Sequence, residues 1–314
     1  MSRLNAFELI CYVIVALMLL DLIRKRDYNG LFTFGAAAIV GFSMELLAVS
    51  VTDIYYYSDN FWLSLGKAPR QFPVFGGLMW GGLTVYGMEL AKKHGFDKGL
   101  TALCTGMFIV TMDILLDVIA IRMDGGFWTW VGRPISTMIT QHTFMSVIWV
   151  NFLGYMIETP TVAWLVLKKN EKVPAKDFLK QTYFMFLIAL GGIVVTSIGS
   201  LVSLFLNSVT DDRFSCIAFL ILWTSLAVLI LLRSVRSRIR ILPVRRWNIS
   251  PIIFWSALYA YCIEGILYLN IGQTQPWFPV IAFIFAFSTL FFCIAEPVRG
   301  EVNRNERILR DRSN

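Results

Sequence analysis

The stretch LFTFGAAAIVGFSMELLAVSVTDI, Leu31–Ile54, decides the fold class. A bilayer core is spanned by about 20 consecutive, mostly apolar residues. This run reaches that length with Glu45 and Asp53 as its only charged side chains. Eight further runs of the same character lie around it: about Asn5–Ile23, Phe72–Leu90, Gly99–Ile121, Thr143–Leu167, Gln181–Leu206, Phe214–Leu232, Pro251–Asn270 and Trp277–Glu296. The reading is an all-α integral membrane protein, a polytopic bundle of about nine transmembrane helices, with eight as the alternative count. Of the 314 residues 57% are hydrophobic and only 16% charged. Soluble chains carry roughly a quarter, so soluble α/β enzyme folds are excluded. Residues 1–314 read as a single membrane domain. Within it, 181–296 form additional helices with no assigned role and 297–314 a charged cytoplasmic tail. The first run has no basic segment before it and no small-residue cleavage site after it, so it reads as a retained helix.

The basic residues sort by loop. Alternate loops and the C-terminal tail, from Arg24-Lys25-Arg26 to Arg299–Arg312, hold 22 of the 28 Lys and Arg residues; the other side receives Arg3, Lys67, Arg70, Arg122, Arg133 and Arg213. The positive-inside rule places the N-terminus outside and the C-terminus inside, in a multi-pass protein of the cell membrane. This sorting accounts for the net charge of +7 without nucleic acid. The Arg233–Arg246 run reads as a surface for anionic lipid headgroups at the inner face.

Several chemistries lack their residues. Two histidines, His94 and His142, are too few for a histidine-rich di-iron site and disfavour haem. Cys11, Cys104, Cys216, Cys262 and Cys293 all fall in apolar runs and read as core residues. No phosphate-binding glycine loop, dinucleotide fingerprint or nucleophile elbow is present. No metal site and no cofactor is expected.

Charged side chains within a span are functional candidates by default. With the orientation above, Glu45, Asp53, Asp113, Asp117 and Glu264 fall in the outer half, with Asn151 near them on the fifth span and Glu158 deeper. Asp113 and Asp117 are four apart and share a helical face. Glu45 and Asp53 are eight apart, within about 80° of each other on a continuous helix. Acids that close in low dielectric cannot all ionise easily, which makes one of them a candidate general acid. The plainer alternative is that they pair with Arg122, Arg133 or backbone donors and fix helix packing. Aromatic residues flank the cluster: Tyr55-Tyr56-Tyr57, Phe61-Trp62 and Phe127-Trp128-Thr-Trp130. Interfacial belts account for many of them, and a cation-stabilising pocket is the functional alternative. Gly76-Gly77 and Gly81-Gly82 read first as sites of close helix approach.

The order of these motifs resembles a known family. Glu45, the tyrosine run and Phe72-Pro73-Val-Phe-Gly-Gly-Leu-Met-Trp80 come first. Asp113-Ile-Leu-Leu-Asp117, Gly126-Phe-Trp128-Thr-Trp130 and Val147-Ile-Trp149-Val-Asn151-Phe-Leu-Gly154-Tyr155 follow. Over roughly residues 31–167 the chain resembles the membrane carotenoid-biosynthesis family, carotenoid 1,2-hydratases and bisanhydrobacterioruberin hydratases among them. It differs from that pattern in having Asp117-Val118 where Asp-Pro is usual and Gly154-Tyr155 where Gly-Trp is usual. The resemblance implies a cofactor-independent carbon–oxygen lyase that protonates the terminal C=C of a lipid-soluble isoprenoid or polyene and adds water. It implies Asp113, Asp117 or Glu45 as proton donor, and a neighbouring carboxylate with Asn151 as the water-positioning pair. Tyr56, Trp128 and Trp130 would then shield the cation, with Asp53, Trp80, Trp149 and Tyr155 as further substrate-binding positions.

Two other readings compete. An acid-initiated intramembrane terpene cyclase uses the same protonation and lets an alkene quench the cation. A proton-coupled transporter or a membrane scaffold needs no chemistry at all. A prenyltransferase fits less well, since the second acidic motif that would hold a metal-bound diphosphate is missing.

Overall fold

The computed structural model describes residues 1–237 and 239–297. Arg238 and the tail from 298 onward, with Arg299, Arg304, Arg307, Arg310 and Arg312, lie outside the described residues. The elements run α1 (Arg3–Lys25), α2 (Tyr28–Val51), β1 (Tyr55–Tyr57), β2 (Ser64–Lys67), β3 (Arg70–Pro73), α3 (Val74–Lys92), α4 (Lys98–Ala120), β4 (Trp128–Trp130), β5 (Thr143–Phe144), β6 (Val147–Ile148), α5 (Trp149–Asn170), α6 (Phe178–Thr210), α7 (Arg213–Arg236), β7 (Ile239–Ile241), α8 (Ile249–Tyr268), the single turn α9 (Ile271–Thr274), α10 (Trp277–Ile294) and β8 (Ala295–Pro297). Eight of the long helices are long and apolar enough to cross a membrane. The chain is therefore an all-α multi-pass membrane protein. The remaining long helix, α3, is shielded by its neighbours: 13 of its 19 residues are buried. It can carry glycine and polar groups that a lipid-facing helix would not.

Two expected boundaries move. The span expected over Thr143–Leu167 begins only at Trp149, because Thr143–Ile148 form the β5–β6 hairpin around Met145 and Ser146, both at positive φ. The second span stops at Val51, where Thr52 turns to extended backbone.

Contacts sort the loops into two ends. At one end the Leu4 amide donates to Asp124, Gln275 to the Thr137 carbonyl, and His142 pairs with Asp212. At the other, Arg233 donates to the His94 carbonyl, Lys93 to the carbonyls of Phe292 and Cys293, and Asn248 to Glu89, while β7 pairs with β8. Each end thus closes through its own loops.

The tightest helix pair is α2 with α3, and glycine is the reason. The Trp80 ring lies over Gly41, so that a Cβ there would stand 2.3 Å from the ring. In return Phe42 lies over Gly77, and Phe34 over Gly81. Small residues let backbones approach closely where no hydrophobic effect drives helices together. Gly41→Leu is expected to force these helices apart at a cost of about 1–3 kcal/mol or more, read as a lowered unfolding midpoint of the purified protein.

His94, in the turn after α3, is buried against Phe96, Phe108 and Phe292, and neither ring nitrogen has a partner among the described residues. Burial, with Lys93 and Arg233 nearby, lowers its pKa to about 4. The unfolded imidazole takes its proton near 6.5. The neutral side chain therefore contributes fully above that value, and stability falls as pH drops from about 6.5 toward 4, by up to about 3 kcal/mol. Thermal unfolding across this window is expected to show the loss, and His94→Phe to remove it.

Candidate functional site

Four helices bring their polar side chains to one depth. Glu45 is six residues from the end of α2, Asp113 seven from the end of α4, and Trp80 and Tyr155 six from the starts of α3 and α5. At 1.5 Å per residue all four lie about 9–11 Å inside the helix ends. There they line a cavity of about 70 Å³ with Phe7, Phe72, Phe75, Met79, Met112 and Trp128, floored by Leu83 and Ile109. Its wall holds two carboxyl groups and many rings, and no Lys or Arg.

The tyrosine run holds Glu45. Tyr55 and Tyr57 both donate to Glu45 Oε2, at 2.5 and 2.9 Å. Burial first, and then the Glu45 carboxyl, push both phenols above the usual tyrosine range, so they remain donors. β1 pairs antiparallel with β4, setting Tyr55 opposite Trp130 and Tyr57 opposite Trp128. The Tyr57 ring meets Phe72 at 5.2 Å and Trp128 at 5.9 Å. Trp80 meets Tyr155 edge-on at 4.8 Å.

The second acid has a different setting. Asp113 is buried, and its Oδ2 has no hydrogen-bond partner among the described residues. Asp117, one turn nearer the helix end, accepts from Asn151 Nδ2 at 2.5 Å through Oδ2, while its Oδ1 is unpartnered. Glu158 is buried on α5, one turn deeper than Tyr155. Among the described residues no cation pairs with these groups: Arg122 donates to the carbonyls of Val118, Ser136 and Met145, and Arg133 pairs with Asp212. Burial lowers the Arg122 pKa to about 10, still charged at neutral pH.

The structure therefore brings Glu45, Trp80, Asp113, Trp128 and Tyr155 to one cavity, with Asp117 and Asn151 bonded just above Asp113. Five expected positions lie elsewhere. Asp53 is past the end of α2, so the helical spacing to Glu45 does not apply; its side chain is 87% exposed and pairs with Arg70. Tyr56 points away from Tyr55 and Tyr57 because strand side chains alternate, and it is exposed. Trp149 lies about 120° around α5 from Tyr155; it donates to the Thr140 carbonyl and packs on Phe152 and Phe219. Trp130 is buried behind Tyr55, supporting the site rather than lining it. Glu264 is half-exposed in an ion pair with Arg3.

Sequence reasoning passed over Glu8. This buried acid accepts from the amides of Trp62 and Leu63 and from the Tyr12 hydroxyl, fastening the loop that covers the helix ends. A lone acid inside an apolar run was the signal. Among the described residues, no group of three or more His, Cys, Asp or Glu side chains is arranged to hold a metal ion. No protein-family model, no characterised protein and no solved structure matches the chain.

Removing one phenol leaves the buried Glu45 short of a donor, at about 1–3 kcal/mol. Tyr57→Phe is therefore expected to lower the unfolding midpoint, whereas Tyr56→Phe leaves it unchanged.

Proposed function

We propose that this is an enzyme of isoprenoid metabolism in the cell membrane, which protonates a terminal C=C and adds water to the resulting tertiary cation. The observation that carries the reading is a pair of carboxyl groups, Glu45 and Asp113, set in one ring-lined cavity without a cation. Acid–base chemistry on an alkene needs a proton donor and a proton acceptor within reach of the same carbon. A neutral hydrocarbon needs no Lys or Arg to hold it, whereas a prenyl diphosphate would. Trp128, Trp80 and Tyr57 offer ring faces and edges to a carbocation, whose charge the π-electrons stabilise. The fit to the carotenoid-hydratase resemblance supports the same conclusion.

Nine crossings, with the N-terminus outside and the C-terminus inside, follow from the basic residues at the end formed by the α1–α2, α3–α4, α5–α6 and α7–α8 loops. In this orientation the cavity lies in the outer leaflet, at the depth of the acyl chains, where a polyene end is dissolved. Anionic headgroups would meet the basic loops of the inner face.

Expression in a carotenoid-producing host, followed by lipid extraction, tests the reading. A new hydroxylated product is expected with the wild-type chain. Glu45→Gln and Asp113→Asn are expected to lower its yield by about 10²–10⁴-fold, the usual contribution of a general acid or base. Asp53→Asn is expected to retain it. An unchanged lipid profile, or full yield from both cavity variants, rejects the proposal.

A further inference from the structure

The cavity has one property that acid–base chemistry alone does not explain. Asp113 Oδ2 is buried without a partner among the described residues, on a wall that is otherwise mostly apolar. An unsatisfied buried acceptor costs about 1–3 kcal/mol, so this position favours a small guest that donates hydrogen bonds. A volume of about 70 Å³ is several times the roughly 10–15 Å³ that a single buried water needs. A buried water needs two to four polar partners. The polar groups of the wall are the Asp113 and Glu45 carboxyls, the Tyr57 and Tyr155 hydroxyls and the indole N–H groups of Trp80 and Trp128. Both phenols that hold Glu45 bond to Oε2, which leaves Oε1 as an acceptor.

We infer that the cavity is a water site, and that a water held between Asp113 and Glu45 is the nucleophile that quenches the cation. The second half of this inference rests on the function proposed above; the first does not. In the reaction, the C=C π pair takes a proton from Asp113 and becomes the new C–H bond, leaving a tertiary cation. A lone pair of the water oxygen forms the C–O bond. The proton that this oxygen then sheds passes to Glu45 and returns to Asp113 through the next water. The sum is alkene plus water giving a tertiary alcohol, with no other reactant. Water in this position decides between hydration and cyclisation, because a second alkene would have to displace it.

Radiolytic hydroxyl-radical footprinting of the full chain in lipid nanodiscs tests the water site without a substrate, since radicals formed from a bound water label the side chains beside it. Met79 and Met112 line the cavity and are buried; Met18 and Met88 are buried elsewhere; Met138 is exposed. Met79 and Met112 are expected to label at a rate comparable with Met138, with Met18 and Met88 protected. In Asp113→Leu, labelling of Met112 is expected to fall to the level of Met18. If that variant misfolds, Met18 loses its protection, and the wild-type comparison alone decides. Labelling of Met79 and Met112 no faster than Met18 overturns the water site. The product from cells grown in water labelled with heavy oxygen is expected to carry the label in its new hydroxyl. A shifted lipid profile with an unlabelled product overturns water as the quencher, while the footprint still stands or falls by itself.

Discussion

The packing of α2 against α3 is the constraint on which the site depends. Rings from each helix lie over glycines of the other: Trp80 on Gly41, Phe42 on Gly77 and Phe34 on Gly81. Glu45 is four residues after Gly41 and so projects from the same face of α2. The contact that brings the backbones together therefore also presents Glu45 to α3. Trp80 is shared between both functions, packing on Gly41 and meeting Tyr155 of α5. A side chain larger than hydrogen at position 41 would move the indole, and with it the wall between Glu45 and Tyr155. The acids of α4 gain their neighbours through a similar close approach, in which Gly106 lies against the Pro160 ring of α5.

Charged groups at the helix ends and inside the bundle fall into two kinds, distinguished by what they bond. Glu8 takes two backbone amides and a hydroxyl, Asp124 takes the Leu4 amide at the start of α1, and Arg122 gives to three carbonyls. Each fastens a loop over the helix ends, and each is provided with partners. Asp113 is buried as Glu8 is, but its Oδ2, like Oδ1 of Asp117, has no partner among the described residues. Buried polar groups are normally satisfied, so an exception calls for a physical reason. The contrast within one molecule, between acids that hold loops and an acid that holds nothing, is the strongest local argument that Asp113 serves a guest.

The helices were legible because apolar runs of bilayer length state their own period and extent, as in Leu31–Ile54. Boundaries failed where a loop was itself apolar: Thr143–Ile148 continues the hydropathy of α5 but forms a hairpin turning at Met145-Ser146. Glu45, Asp113 and Tyr155 were legible as site residues because polar groups in a span announce themselves. Asp53 was misplaced because helical spacing was extended beyond a helix that ends at Val51. In the Tyr55–Tyr57 run, sequence could not tell which faces turn inward. The β1–β4 pairing decides that Tyr55 and Tyr57 do and Tyr56 does not. Glu8 was visible in principle as an acid in the first apolar run. The amides it serves belong to Trp62 and Leu63, more than fifty residues away, and only the tertiary fold reveals them.

The distribution of polar groups along the bundle axis bears on transport as well as catalysis. A second polar cluster, Asp21, Lys25, Asn248 and Glu89, with Tyr86 bonded to Ser250, occupies the opposite half of α1, α3 and α8. Between it and the cavity, α3 is packed at Gly82 against Phe254 and Met18, and the cavity floor is Leu83 and Ile109. Phe254, Met18, Leu83 and Ile109 neither bind nor relay a proton, and the buried Thr84 of α3 and Glu158 of α5 stand near that depth. A proton-coupled carrier needs ionisable groups in a chain that reaches both faces, and along α3 the packed rings and aliphatic side chains at Gly82 separate the two clusters. Asp117 and Asn151, bonded to each other above Asp113, offer protons and water a polar approach from the near helix end. A polar chamber approached from that end suits the proposed reaction, which takes up water and releases a neutral product sideways into lipid.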